Sequence, residues 1–291
     1  MTSPVSLLLD ARASLGEGPR WHAGEARLYW VDIDRCELHR FDPASGQDEH
    51  RRFDDPVGCF AFTGDGGLML GMKRGFARLD HWDAEPRPWG RAFLADHPDL
   101  RLNDGRTDPA GRFWAGSVTM TKAQRNASLY CLEGETVREI QSDMLTCNGA
   151  AFSSDGRHFH HADTPSHALR RYDCDPETGV LSHERVLHQW PQGHGRPDGG
   201  SFDEEGCYWT ALFDGGRVAR LSPDGEVLQE VMLPARRPTM IAFGGADRRT
   251  AFVTTARTGL DEATLADQPH SGGIFSFRVD VRGVPEWPFA G

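Results

Sequence analysis

GRPDGGSFDEEGCYWTAL, residues 195–212, sets an Asp-Gly step four residues ahead of Phe202, then a turn, then the apolar run Tyr208 to Leu212. Alone, Asp198 reads as the polar lip of a tight turn, because Asp-Gly and Asn-Gly are common turn dipeptides. The stretch decides the fold because it recurs. The same register returns at Glu17 in EGPRW before RLYWVDI, at Gly58 in GCFAF before GLMLGM, and at Asn103 in NDGRT before RFWAGSV. It returns again at Asn148 in NGAAF before RHFHHAD, and at Thr239 in TMIAF before TAFVTTA. Successive positions lie 41, 45, 45, 50 and 41 residues apart, so six similar units fill the chain.

Each unit has room for four short strands. In the fourth they are GAAF, HFHHAD, ALRRYDCD and RVLHQW, separated by the turn signals SSDGR, TPSH and PETG. Units of about 45 residues with four strands each are the signature of a β-propeller. The expectation is an all-β, six-bladed propeller forming one domain over 1–291. The sixth unit accommodates only three strands, ending in GGIFSFRVD, so the N-terminal VSLLLDAR is predicted to close the last blade as its outer strand. A pair of sandwiches would not explain six near-equal intervals.

Composition narrows the function. A formal charge of −11 with no basic run argues against a nucleic-acid groove. No stretch of 18 apolar residues is present, which argues against a membrane span. The run Val5 to Leu9 lacks a basic start and is too short for a signal-peptide core. Six cysteines with no CxxC pair suggest neither a zinc finger nor a disulfide framework, and a reduced, cytoplasmic protein is expected.

In a propeller the recurring residue begins the innermost strand of each blade, so the six converge at one mouth of the central channel. Glu17, Asn103, Asn148 and Asp198 bring acid or amide oxygens, while Gly58 and Thr239 are small and should leave space. Carboxylates and carboxamides gathered there would repel or stay unsatisfied unless something binds them. A divalent cation is the natural solution, and oxygen donors favour a hard ion such as calcium, magnesium or manganese. Such an ion would polarise a carbonyl and acidify a bound water. Trp30, Trp114 and Trp209 recur in second strands and are expected in the core. His158, His160 and His161 share a strand whose alternation sets His160 opposite its neighbours, which argues against a shared metal.

The motifs LGEGPRW, RLNDGRTDPAGRFWAGS, NGAAFSSDG, RPDGGSFDEEGCYWTAL and RPTMIAFGG resemble the SMP-30/gluconolactonase/regucalcin (LRE-like) family from Leu15 to about residue 279. The resemblance implies one divalent ion held by Glu17, Asn148 and Asp198, with calcium first and zinc, manganese, magnesium or iron as alternatives. It implies that Arg101 and Asn103 contact substrate, and that a sugar lactone is hydrolysed to its aldonic acid. Asp198 would also serve as the general base toward water, although a carboxylate tied to a cation is a poor base. Other readings are a regucalcin-type calcium-binding regulator, an esterase or phosphotriesterase on the same metal site, and a docking propeller.

Two features depart from the pattern. Some sugar-lactone relatives carry an acidic substrate contact in the loop after the third blade's second strand, whereas AGSVTMTKAQRNASLY has no Asp or Glu between Ser117 and Tyr130. Hydroxyl recognition on that side must differ. Conversely, His194 lies four residues before Asp198 in a loop expected to lean over the mouth. It is either an exposed surface residue or a substrate or proton-transfer group.

Overall fold

The computed structural model describes residues 3–291. They form six four-stranded sheets arranged as a six-bladed propeller. Blades 1 to 5 occupy 16–52, 57–89, 100–144, 147–189 and 196–232 in chain order. Blade 6 combines Pro238–Gly244, Thr250–Thr255 and Ile274–Arg278 with the N-terminal strand Ser6–Leu9. The predicted closure is therefore present: Ser6 pairs with Ser276, Leu7 with Phe275 and Leu9 with Ile274, all antiparallel.

Burial follows radial position. Inner strands such as Cys147–Phe152 are buried throughout, because neighbouring blades cover both faces. The outermost strand of the same blade, Leu181–Gln189, is mostly exposed and correspondingly polar. Apolar burial is divided into six wedges, one between each pair of adjacent blades. Val31 and Leu38 of blade 1 meet Phe60 and Leu70 of blade 2 in one wedge. Leu28 and Trp30 meet Phe252 and Ile274 across the closing junction in another. All three expected tryptophans are buried in such wedges.

Two of those indoles are anchored by the turn between first and second strands. Asp108 accepts the backbone N–H groups of Ala110 and Arg112, and Trp114 Nε1 donates to its second oxygen at 2.9 Å. Asp203 repeats the arrangement with Glu205, Cys207 and Trp209, so Glu204-Glu205-Gly206 is the expected turn. One carboxylate thus caps a turn and satisfies a buried N–H that would otherwise be costly.

Every inner strand carries an irregularity of pairing at or beside its ring residue. The breaks fall between Glu17 and Arg20, Val57 and Cys59, Leu102 and Gly105, Asn148 and Ala151, Pro197 and Gly200, and Pro238 and Met240. A bulge re-aims side chains, and here it does so six times around one axis. Gly18 and Gly149, at φ 56° and 69°, supply the left-handed backbone that two of these bulges use.

The far end of the channel is crossed by the C-terminal segment. Val284 N–H donates to Phe202 of blade 5 and Phe289 N–H to Phe62 of blade 2. Those blades stand opposite each other in a six-membered ring, so the segment spans the axis. From it Glu286 reaches inward to pair with Arg20 at 2.8 Å and with Arg106. Both arginines are buried, so removing their shared partner leaves two like charges uncompensated. Glu286→Ala is expected to destabilise the fold by about 3 kcal/mol, read as a lowered denaturation midpoint. An unchanged midpoint would show that the strap is not tied to the channel through this residue.

Candidate metal centre

The bulges bring Glu17, Asn103, Asn148 and Asp198 into the channel as buried side chains. Asn148 is held from both sides. Its Oδ1 accepts from Asn103 Nδ2 at 2.7 Å, and its Nδ2 donates to Thr164 Oγ1 at 2.8 Å. Thr164 in turn donates to the Pro197 carbonyl at 2.8 Å, one residue from Asp198. Arg101 Nη1 donates to Asn103 Oδ1 at 2.7 Å, completing a chain from the rim to the ligand-bearing strands. This chain fixes the Asn148 carboxamide and leaves a second lone pair on its oxygen.

The carboxylates are in the opposite condition. Asp198 Oδ1 is buried without a hydrogen-bond partner. Burial first, then the charges of Glu17 and Asp104, hold the Asp198 carboxyl well above its ordinary range, with Arg196 and the Gly199 amide offsetting only part. Among the described residues Glu17 accepts its neighbouring Gly18 N–H alone, at 3.1 Å. Burial and then the Asp104 charge push it up to about 8, against the lowering effects of Gly18 and Arg101. Two buried carboxylates raise each other unless a cation compensates them. Together with the remaining Asn148 lone pair they form an all-oxygen donor set that suits a hard divalent ion. Among the described residues no group of three or more His, Cys, Asp or Glu side chains is placed to share an ion.

Beneath this layer lies Asp104, which the repeat pattern did not single out. Its oxygens accept the Gly105 and Ala150 N–H groups at 2.8 and 2.9 Å. Burial raises its pKa, while Arg106 and Arg20 pull it down. Those arginines sit three residues after Glu17 and Asn103, where the other four units carry Ala or Ser. Superimposing the six units position by position exposes that anomaly.

Other expectations divide. Gly58 and Thr239 join the ring but open no space. The Leu102 carbonyl lies where a Gly58 Cβ would be, 2.0 Å from it, and buried Thr239 is committed to the Gly16 carbonyl and Thr254. His194 is exposed between blades 4 and 5, and no hydrogen bond or ion pair of its imidazole ties it to the cluster. His160 and His161 face opposite sides of their strand, as expected, whereas His158, two residues before His160, shares its side. His160 packs between Phe202 and Tyr208, and His161 stacks on Phe159. Lys122, also unanticipated, turns its ammonium onto the rim and donates to Thr146 Oγ1 at 2.6 Å.

Comparison with known proteins gives relatives along the whole chain. The family model described as SMP-30/gluconolactonase/LRE-like region matches residues 15–257. A 6-deoxy-6-sulfogluconolactonase of Pseudomonas putida is 43% identical and covers 100% of both chains. Regucalcin of Gallus gallus is 35% identical over 96% of each chain. Among solved structures, a calcium-binding protein, regucalcin, from Agrobacterium tumefaciens superposes with a TM-score of 0.95 at 27% identity, covering 99% of this chain and 98% of that one.

The raised carboxyls give a pH prediction for chelated protein. Glu17 titrates near 4.5 when unfolded and at about 8 when folded, so between pH 6.5 and 8 the folded state retains a proton that the unfolded chain has lost, and Asp198 is shifted in the same direction. A raised folded-state pKa contributes stability that is lost as pH rises through it, here with a slope of up to about 1.4 kcal/mol per pH unit for each retained proton. Denaturation midpoints in chelator should therefore fall from pH 6.5 to 8, and Glu17→Gln should flatten the fall. Added calcium should raise the midpoint most at pH 8. A midpoint independent of pH and of ion would contradict the electrostatics described.

Proposed function

The chain belongs to the SMP-30/gluconolactonase/LRE-like family, and from that membership we propose that it hydrolyses a sugar lactone to the corresponding aldonic acid at the ring of inner-strand residues. The observation that carries this reading is the buried Asp198 Oδ1, without a hydrogen bond among the described residues, in a channel that also holds Glu17, Asn148 and the Arg101–Asn103 pair. Glu17, Asn148 and Asp198 would hold one divalent ion, whose contribution when bound is Lewis acidity toward the lactone carbonyl. Calcium is the first choice for these donors, with zinc, manganese, magnesium and iron as alternatives.

The chain's own groups supply the rest. Arg101 and Asn103, bonded to each other, orient the hydroxyls of the sugar ring at the mouth. Asp198 takes a proton from the attacking water as its oxygen adds to the carbonyl carbon. The ring C–O bond then breaks, and the released alkoxide takes up the proton held by Asp198, giving the open-chain hydroxy acid and restoring the carboxylate. A regulator that only bound calcium would not require a guanidinium beside the ligands, which favours the enzyme. The Pseudomonas relative is named for a sulfonated gluconolactone, so hexonolactones are the first substrates to try. The six cysteines are unpaired, which fits a reducing cytoplasm, and no helix among the described residues is long and apolar enough to cross a membrane.

With calcium or manganese present, acid release from glucono-1,5-lactone should exceed spontaneous hydrolysis and stop on chelation. Glu17→Gln and Asp198→Asn should each lower kcat/KM by at least about 100-fold, the scale of losing a charge-stabilising group. Activity that survives chelation and both substitutions would sink this assignment.

A further inference from the structure

The loop after the strand Phe113–Thr119 offers no acidic residue of its own for hydroxyl recognition. It presents Lys122, one of only two lysines in the chain. The loop is built to hold it. Thr121 N–H and Oγ1 donate to the two oxygens of Asp99 at 2.9 and 2.8 Å, and Thr119 Oγ1 donates to Asn126 at 2.6 Å. Within this frame Lys122 adopts a left-handed backbone, φ 56°, which a non-glycine residue takes at a cost. The side chain is exposed as a whole, but its ammonium end lies against Thr146, two residues before Asn148.

Charge balance at the mouth leaves that ammonium without a counter-charge. It makes no ion pair among the described residues. The carboxylates it senses are Asp163 and Asp198. Asp163 is already committed to the Leu145 and Thr146 amides and to Arg125. Asp198 and Glu17 together would neutralise a divalent ion. Partial desolvation and the neighbouring Arg101 bring the Lys122 ammonium down to about 8, as expected for a cation beside other cations. An ammonium has three donors, and Thr146 uses one.

Resting on the lactonase reading, we infer that Lys122 is a specificity-determining contact for an anionic group, a sulfonate or phosphate, on the part of the sugar lactone remote from its carbonyl. The ammonium acts as a point charge and does not require bidentate geometry, so either tetrahedral oxyanion fits. Arg101 would hold the ring hydroxyls while Lys122 holds the charged tail, fixing both ends of the substrate.

The test compares glucono-1,5-lactone with its 6-phosphate and its 6-deoxy-6-sulfonate on calcium-loaded protein. The wild type should favour at least one anionic lactone in kcat/KM. Lys122→Ala should reduce the anionic-to-neutral ratio at least tenfold, chiefly through KM; Lys122→Glu should reduce it further, and Lys122→Arg should restore most of it. Calorimetric titration with gluconate, gluconate 6-phosphate and 6-deoxy-6-sulfogluconate reads the same contact without turnover. A Lys122-dependent gain for either anion supports the inference and identifies the group. No hydrolysis of any lactone would overturn the lactonase reading alone, since titration still reports on Lys122. Anionic and neutral ligands bound equally, or a ratio unmoved by Lys122→Ala and Lys122→Glu, would overturn the inference.

Discussion

Glu17 and Asp198 are both buried in the channel where six strands converge, and among the described residues neither carboxylate forms an ion pair. Burying unpaired carboxylates costs several kcal/mol, so the architecture around them has to carry the strain. Along the channel the charges fall into bands, with two acidic layers in succession near the mouth. Arg101 stands at the rim, the carboxylates come next, Asp104 lies beneath, Arg20 and Arg106 lie deeper, and Glu286 closes the far end. Each deeper layer meets an opposite charge, whereas the upper carboxylates depend on something supplied from outside. The six apolar wedges carry the burial that holds the ring together, leaving the axis free for polar chemistry.

Rigidity at the upper layer comes from neutral groups. Arg101, Asn103, Asn148, Thr164 and the Pro197 carbonyl form one hydrogen-bonded run that touches blades 3, 4 and 5. A ligand oxygen held in this way is positioned before any ion or substrate arrives, and outer partners of this kind tune a metal site. The carboxylates retain their acceptor capacity, while the carboxamide is already oriented.

The propeller was legible because its register repeats. The intervals, the convergence of the inner strands and the missing outer strand of blade 6 all follow from aligning Glu17, Gly58, Asn103, Asn148, Asp198 and Thr239. Side-chain direction was less legible. A strand's alternation places Asp104 opposite Asn103, but the break in pairing between Leu102 and Gly105 lets both enter buried positions around the channel. Gly58 looked like an opening for ligand, and is small because a neighbouring carbonyl fills the space. Lys122 was hidden for a different reason. It lies in a loop outside the repeat, and only long-range bonds to Asp99 and Thr146 reveal where it points.

The last blade joins residues separated by nearly the whole chain, with Ser6 paired to Ser276. Such a contact closes one of the longest loops in the molecule, and its closure cost is lower once the intervening blades have folded. During synthesis, five blades can assemble from local hairpins while the first strand waits as an unpaired edge. The mouth of the channel is then an open arc, in which Glu17 and Asp198 are not yet held against one another. Completion of the ring and the appearance of a binding site are therefore coupled, because both require Pro238–Gly244 of blade 6 to pack against Gly16–His22 of blade 1.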